Sequence, residues 1–435
     1  MKGRDLVKLL VPFVVFVLLV TTCGPAPTVA PTAAPTQAAP TAAVTAGPAP
    51  LSGEITAIAP VDTPGFFPSQ ARKFEELHPG VKVNFIESGY ELLETKLTSD
   101  LAAGTYAYDV MFSFARHIPT FSDAGWIQPI DLAAYGLDKG NTALFLTQYK
   151  GQYWGVPYTA WPQVFSYNEE ILAKVGKEPP KTWDDVTAIL KAVKEQGIME
   201  YPWAVALKEG QYGPRVIQQQ CMAFGGRIAD DDGTPRIDSP ECKLGLEYLV
   251  MLYREGLLDP ASLVADDFEM DNAFAQGRYA LARGSTWGFT QAVKNPTMSS
   301  VMGKVHLVPT PQHDGKGAAW VAGLVMMVPK TAKNVPLAIE FMKYMVSYAG
   351  GTDNLLTTGN LTTVEAVATD PQALAQVEGL EIMMNEVKNG IPEPKVVWLN
   401  DWYTWVSPLI APLVKGDLSV DDFVAQNVEW MKQQK

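Results

Sequence analysis

The apolar positions of this chain switch repeatedly between two patterns, short alternating or continuous runs and longer stretches with apolar residues three or four apart. That grammar predicts an α/β protein in which strands and helices take turns. Gly53-Glu54-Ile55-Thr56-Ala57-Ile58 alternates and predicts the first strand. Ala71, Phe74 and Leu77 share one face of a helix over 69–77, which His78-Pro79-Gly80 closes. A strand over 81–86 follows, then a helix with Leu93, Leu97 and Leu101 at four-residue spacing that ends at Gly104, then a strand over 109–114. Segments 153–158 and 163–167 read as two strands linked through Thr159-Ala160-Trp161-Pro162. A helix starts at Thr182, whose hydroxyl can cap while Asp185 reaches back, and Trp183 is expected to anchor it in a core. Further helices are predicted over 214–224, 239–255, 266–276 and 336–347, with two more starting at Asn400 and Ser419.

The N-terminus breaks this pattern. Lys2, Arg4 and Lys8 precede an apolar run over 9–20, shorter than the ~18–20 residues a spanning helix needs. Residues 1–22 therefore read as a signal peptide. Cys23 follows directly, which resembles the lipobox of bacterial lipoproteins, whose cysteine is diacylated and becomes the new N-terminus. Thr22 departs from the Gly, Ala or Ser usual there, and plain secretion with an incidental cysteine is the competing reading. Residues 23–52 are rich in Pro, Ala and Thr, with no charge and no aromatic ring, and form an expected tether reaching up to roughly 90 Å. The body is thus expected outside the cytoplasm, lipid-anchored to the outer face of the cell membrane.

Composition narrows the function. With 47 acidic against 34 basic residues, a net charge of -13 argues against a nucleic-acid partner, which would favour a basic surface. Eleven Trp, 16 Tyr and 17 Phe exceed what the core requires and point to a ligand surface. His78, His117, His306 and His313 show no paired metal-ligand spacing, and no Walker loop occurs, so neither a metal nor a cofactor is expected. Thr286 stands where a nucleophile elbow would need serine, and Asp230-Asp231-Asp232-Gly233 reads as a turn rather than a calcium loop. In an exported compartment Cys221 and Cys242 form a disulfide or remain two buried thiols.

Several motifs in order resemble the extracellular solute-binding proteins of the maltose-binding type, receptor lipoproteins of bacterial ABC importers. They include Phe74-Glu75-Glu76-Leu77-His78-Pro79-Gly80, Tyr153-Trp154-Gly155-Val156-Pro157-Tyr158, Thr182-Trp183-Asp184-Asp185, Ala223-Phe224-Gly225-Gly226, Phe274-Ala275-Gln276-Gly277-Arg278-Tyr279-Ala280-Leu281 and Val328-Pro329-Lys330. The resemblance implies a periplasmic-binding-protein-like fold, two α/β lobes joined by a multi-segment hinge with the ligand cleft between them. Lobe one would be 53–160 plus 322–358 and lobe two 164–319 plus 364–435, with hinges near 159–163, 319–323 and 358–364. It implies a monomer, not an enzyme, that captures a carbohydrate and delivers it to ABC permease subunits. A receptor for another small polar solute, a sensor, or a secreted glycosidase with two carboxylates ~5–9 Å apart remains open.

A sugar presents an apolar face and a rim of hydroxyls, so its site needs flat aromatics and fixed polar groups. The resemblance places candidates at strand ends and crossovers: Phe114 and Arg116 after the strand over 109–114, Trp161 and Gln163 in the first crossover, and Trp320 in the second. Trp287 lies between Gly284 and Gly288, whose small size would let backbone approach a ligand. Tyr212 would cover the cleft from lobe two, Asp62 would accept hydroxyl hydrogen bonds, and Trp402 is expected to face the ligand at a helix start. Each has a plainer reading, as core ring, hinge wedge, turn former or solvated charge; Trp398, Trp402 and Trp405 have the near-helical spacing of a core stripe.

Overall fold

The computed structural model describes residues 50–434 apart from 62 and 285. The expected signal peptide, Cys23, the tether up to residue 49 and Asp62 lie outside the described residues.

Two sheets carry the architecture. In the larger, the strands run in the order Gly80–Ser88, Ser52–Pro60, Val110–Phe114, Leu324–Met327, Val156–Pro157. The first three are parallel, as crossover helices require, and Leu324–Met327 inserts antiparallel beside Val110–Phe114 with Leu324 opposite Phe114. From Ala57 to Pro60 the first strand is buried on both faces, which explains why its alternation gives way to a continuous apolar run. The helices Phe66–Leu77 and Val335–Met345 cover this sheet, and Phe74 meets Phe341 edge-to-face at 5.3 Å.

The second sheet is antiparallel, with Val164–Asn168 between Val305–Val308 and Leu281–Gly284. Its core gathers around Trp183, Trp203 and Phe165, all almost fully buried. The helix Trp183–Glu195 begins in the capping box foreseen above: Asp185 N donates to Thr182 Oγ1 at 3.1 Å and Thr182 N donates to Asp185 Oδ2 at 2.9 Å. Thr182→Ala removes half of that exchange and is expected to cost about 1 kcal/mol, read as a lower unfolding midpoint in urea. Cys221 and Cys242 are joined in a disulfide that ties the helix Tyr212–Ala223 to the helix Pro240–Arg254.

A small third sheet stands between the two. It pairs Leu361–Thr362, Thr159–Pro162, Trp320–Ala322 and Ile391–Pro392 in that order. Thr159–Pro162, read from sequence as a link between strands, is itself a strand here, because it pairs on both sides. The segment Ile391–Pro392 had no visible signal, being two residues long and paired through one partner. The predicted turn at Asp230–Gly233 is present, with Gly233 at φ 80°. No helix among the described residues is long and apolar enough to cross a membrane.

Candidate functional site

Strand direction brings the candidates together. Val110–Phe114 ends beside the third sheet and Leu281–Gly284 runs up to it, with Gly284 opposite Val164, so residues that follow both strands converge on one cleft. The cleft is lined by Phe114, Arg116, Trp161, Gln163, Tyr212, Trp287 and Trp320, seven of the nine predicted side chains. Asp62 is outside the described residues. Trp402 is the departure: it is fully buried in the core of the second lobe, and its Nε1 donates to Asn427 Oδ1 at 2.7 Å. One residue on, a rotation of about 100° around the helix Leu399–Lys415 turns Tyr403 into the cleft instead.

Two aromatic groups face the cavity. From the first lobe, Phe114 lies 5.4 Å from Tyr90 and 6.1 Å from Trp161 between ring centroids, while Trp161 Nε1 donates to Asn360 Oδ1 at 3.0 Å. From the second, Trp287 is half-buried and meets Phe268 edge-to-face at 4.9 Å. Trp287 leads into a π-helical turn, Gly288–Val293, a feature frequent at functional sites. A Cβ on Gly288 would collide with the Asp271 carboxylate, so only glycine lets the turn pack on the helix Asp267–Ala275 and hold the Trp287 ring in place.

Polar groups line the floor between the rings. Gln163 is 3 % exposed, and both atoms of its amide lack a hydrogen-bond partner among the described residues. The same holds for Trp320 Nε1 and Thr286 Oγ1, also buried at the cleft. Buried polar atoms of this kind are costly unless something satisfies them.

Charges at the site are mostly paired within the protein. Arg215 Nη2 donates to Asp267 Oδ2 at 2.5 Å. Arg116 crosses to the other lobe, with Nε donating to Asn400 Oδ1 at 3.1 Å and its guanidinium 4.1 Å over Phe114 and 5.2 Å from the Tyr403 ring. Burial opposes its charge, but Glu393, Tyr403 and Glu94 outweigh burial and keep it ionised. Tyr403 OH donates to Glu393 Oε1 at 2.6 Å, and burial with that carboxylate pushes the phenol well above its usual range. Arg283 lines the cleft but also packs into the core: Nη1 donates to Gln220 Oε1 at 2.7 Å, and its guanidinium lies 5.8 Å from the Trp183 and Trp203 rings.

Glu94 sits at the outer edge, 3.5 Å from Arg116 Nη2 and 3.2 Å from His117 Nε2. Burial alone would raise its pKa, but His117 and Arg116 overcome burial and hold it at about 2. Since the folded value lies below the ordinary 4.5, its ionised form stabilises the fold above that pH, and the contribution is lost as pH falls from there toward 2. Glu94→Gln is therefore expected to flatten the decline of the thermal midpoint over that window. Identical declines in both proteins would show that the carboxylate contributes nothing.

Sequence reasoning missed Tyr90, Phe268, Asn360 and Tyr403 at the cleft. Tyr403 had a signal, since Asn400, Tyr403 and Thr404 share one helical face opposite the tryptophan stripe. Tyr90 and Phe268 each precede an apolar helical pattern and carried none.

Comparison with known proteins agrees with this geometry. Residues 58–352 match the family model for bacterial extracellular solute-binding proteins, and the chain belongs to that family. A binding protein of Brucella abortus is 27% identical over 221 residues, 50% of this chain and 53% of the relative, so the chain spans about half the length of that relative. An uncharacterised ABC transporter extracellular-binding protein of Pyrococcus horikoshii is 25% identical over 354 residues, covering 78% of this chain and 80% of the relative. Among solved structures, the maltose-bound MalE3 of T. maritima shares the fold with a TM-score of 0.78 at 19% identity, covering 87% of this chain and 99% of that one. The two α/β lobes with a cleft between them, expected from the resemblance, are the fold of this protein.

Proposed function

We propose that the protein captures a neutral carbohydrate in the cleft and delivers it to the permease of an ABC importer, working from a lipid anchor on Cys23 at the outer face of the cell membrane. The observation that carries this reading is the pairing of aromatic walls with the unpartnered amide of Gln163, indole Nε1 of Trp320 and hydroxyl of Thr286 on one cavity floor. Flat rings take the C–H faces of a sugar, and fixed donors and acceptors take its hydroxyls. The family, and the maltose in the T. maritima structure, support it.

On this reading residues 1–22 are the signal peptide and 23–52 the tether. Lobe one is 53–160 with 322–358, lobe two is 164–319 with 364–435, and the small sheet supplies the hinge on which a monomer closes around its ligand. A fourth chain segment, Ile391–Pro392, pairs in the same small sheet as the three hinge segments inferred from sequence.

Two features favour binding over hydrolysis. Ser113 Oγ lies 2.7 Å from His117 Nδ1, and His117 Nε2 lies 3.2 Å from Glu94 Oε2, a chain of the kind that activates a nucleophile. Ser113, however, is fully buried within a strand of the larger sheet, where no substrate can reach it. Of the cleft carboxylates, Asp267 is committed to Arg215.

The test is a thermal-shift screen of residues 53–435 against mono- and oligosaccharides, amino acids, polyamines and inorganic anions. A ligand at a hundred times its Kd adds about 2.7 kcal/mol to the native state. A rise confined to saccharides, which are recovered intact, is the expected outcome. A rise with another class only, or recovery of cleaved sugar, would overturn the reading in favour of another solute or a glycosidase.

A further inference from the structure

The two aromatic walls of the cleft are joined behind it, through a segment that lines it at a single residue. The helix Tyr348–Thr358 ends at Gly359, in the left-handed region at φ 70°, and Asn360 and the strand Leu361–Thr362 follow directly. Of residues 358–362, Asn360 alone lines the cleft. On the boundaries given above this segment lies in the third crossover between the lobes.

Each residue there has a different partner. Gly359 O accepts from Thr290 Oγ1 at 3.1 Å, and Thr290 lies in the π-helical turn that Trp287 opens. The same hydroxyl donates along its own turn to Thr286 O at 2.7 Å, so one hydrogen is shared between the turn and the crossover. One residue on, Asn360 Oδ1 accepts from Trp161 Nε1 at 3.0 Å, which ties down the ring of the opposite wall. Leu361 and Thr362 then pair with Ala160 and Thr159, on the strand that bears Trp161. Consecutive residues, Gly359 and Asn360, therefore connect Trp287 to Trp161.

Glycine at 359 is needed for room as well as for φ. A Cβ there would collide with Thr290 Oγ1 and lie 2.7 Å from both Thr290 Cβ and Gln291 Nε2. Relief requires the π-helical turn to move off the helix end, and the turn carries Trp287 with it. Gly176 provides the contrast: it ends the helix Glu169–Val175 at φ 64°, where a Cβ would meet open space. An alanine meets similar backbone strain at either position, but only at 359 does it push on the site.

We infer that Gly359 and Thr290 are positioning residues for ligand binding: they lie outside the cleft, and their contact sets the spacing of the Trp287 and Trp161 rings. The third crossover thereby carries a displacement of one ring to the other through packed atoms and hydrogen bonds. This rests on the cleft as the place where ligand is held, the part of the reading above that does not require a sugar.

The test incorporates fluorotryptophan into residues 50–435, which form one compact unit, and assigns the Trp161 and Trp287 fluorine resonances by replacing each ring with Phe. Gly359→Ala is expected to move both resonances by more than a line width in the free protein, whereas Gly176→Ala moves neither. Thr290→Val, which keeps the bulk and removes the donor, is expected to move the Trp161 resonance across the cleft, and Thr290→Ser to leave it in place. Calorimetry with maltotriose, glutamate, spermidine and phosphate as probes then compares affinities. A probe that binds the unsubstituted protein is expected to bind Gly359→Ala at least tenfold more weakly and Gly176→Ala within twofold. A Trp161 resonance unmoved in both Gly359→Ala and Thr290→Val, or affinity lost equally in the two alanine variants, would overturn the inference. The fluorine spectra need no ligand, so the coupling stands or falls whichever probe binds, while binding of a probe other than the saccharide counts against the carbohydrate reading alone.

Discussion

Trp287→Ala is expected to weaken ligand binding by more than tenfold, about 1.4 kcal/mol or more, with little change in the unfolding midpoint of the free protein. The ring is half-buried, so its removal opens no sealed cavity, and its orientation is set from outside by Phe268 and from below by the close packing of Gly288 on Asp271. An indole held that way presents a flat face without spending its own rotamer freedom on binding. Titration calorimetry with the best saccharide from the screen is the measurement. An unchanged Kd would remove Trp287 from the ligand contact.

Trp402→Ala should do the reverse. This ring is fully enclosed among the helices of the second lobe, and its indole N–H is the hydrogen-bond donor to Asn427. Truncation leaves a cavity and an amide oxygen without that donor, for a cost of about 3–5 kcal/mol. The midpoint in urea is expected to fall accordingly, while the folded fraction binds ligand with unaltered affinity. A drop in affinity at full stability would instead return Trp402 to the cleft.

The two tryptophans also show what one sequence can convey. Phe114, Arg116, Trp161, Gln163, Trp287 and Trp320 were legible because they follow strand ends or sit in crossovers, and the topology of an α/β protein sends such positions to the cleft. The helices were legible from spacing and caps, as at Thr182 and Ser239, whose hydroxyls accept from Asp185 N and Cys242 N. Trp402 misled because the helix Leu399–Lys415 is aromatic on two stripes, and periodicity identifies stripes without saying which one faces the core. Phe268 and Tyr90 were missed because their role depends on contacts with Trp287 and Phe114, at sequence separations that no local pattern encodes. The disulfide was open for the same reason, since pairing depends on two helices lying side by side.

The strand Leu324–Met327 lies between Val110–Phe114 and Val156–Pro157 in the larger sheet, although it comes more than two hundred residues after the first of them. A ribosome that has delivered the first half of this polypeptide has therefore delivered a sheet with its fourth place unfilled. Such long-range pairing slows folding, because loop closure must precede the contacts that reward it. The consequence is a timing rule: the N-terminal lobe is unable to reach its final form until synthesis has passed Met327, so the nascent chain remains without that lobe's completed sheet through most of its translation.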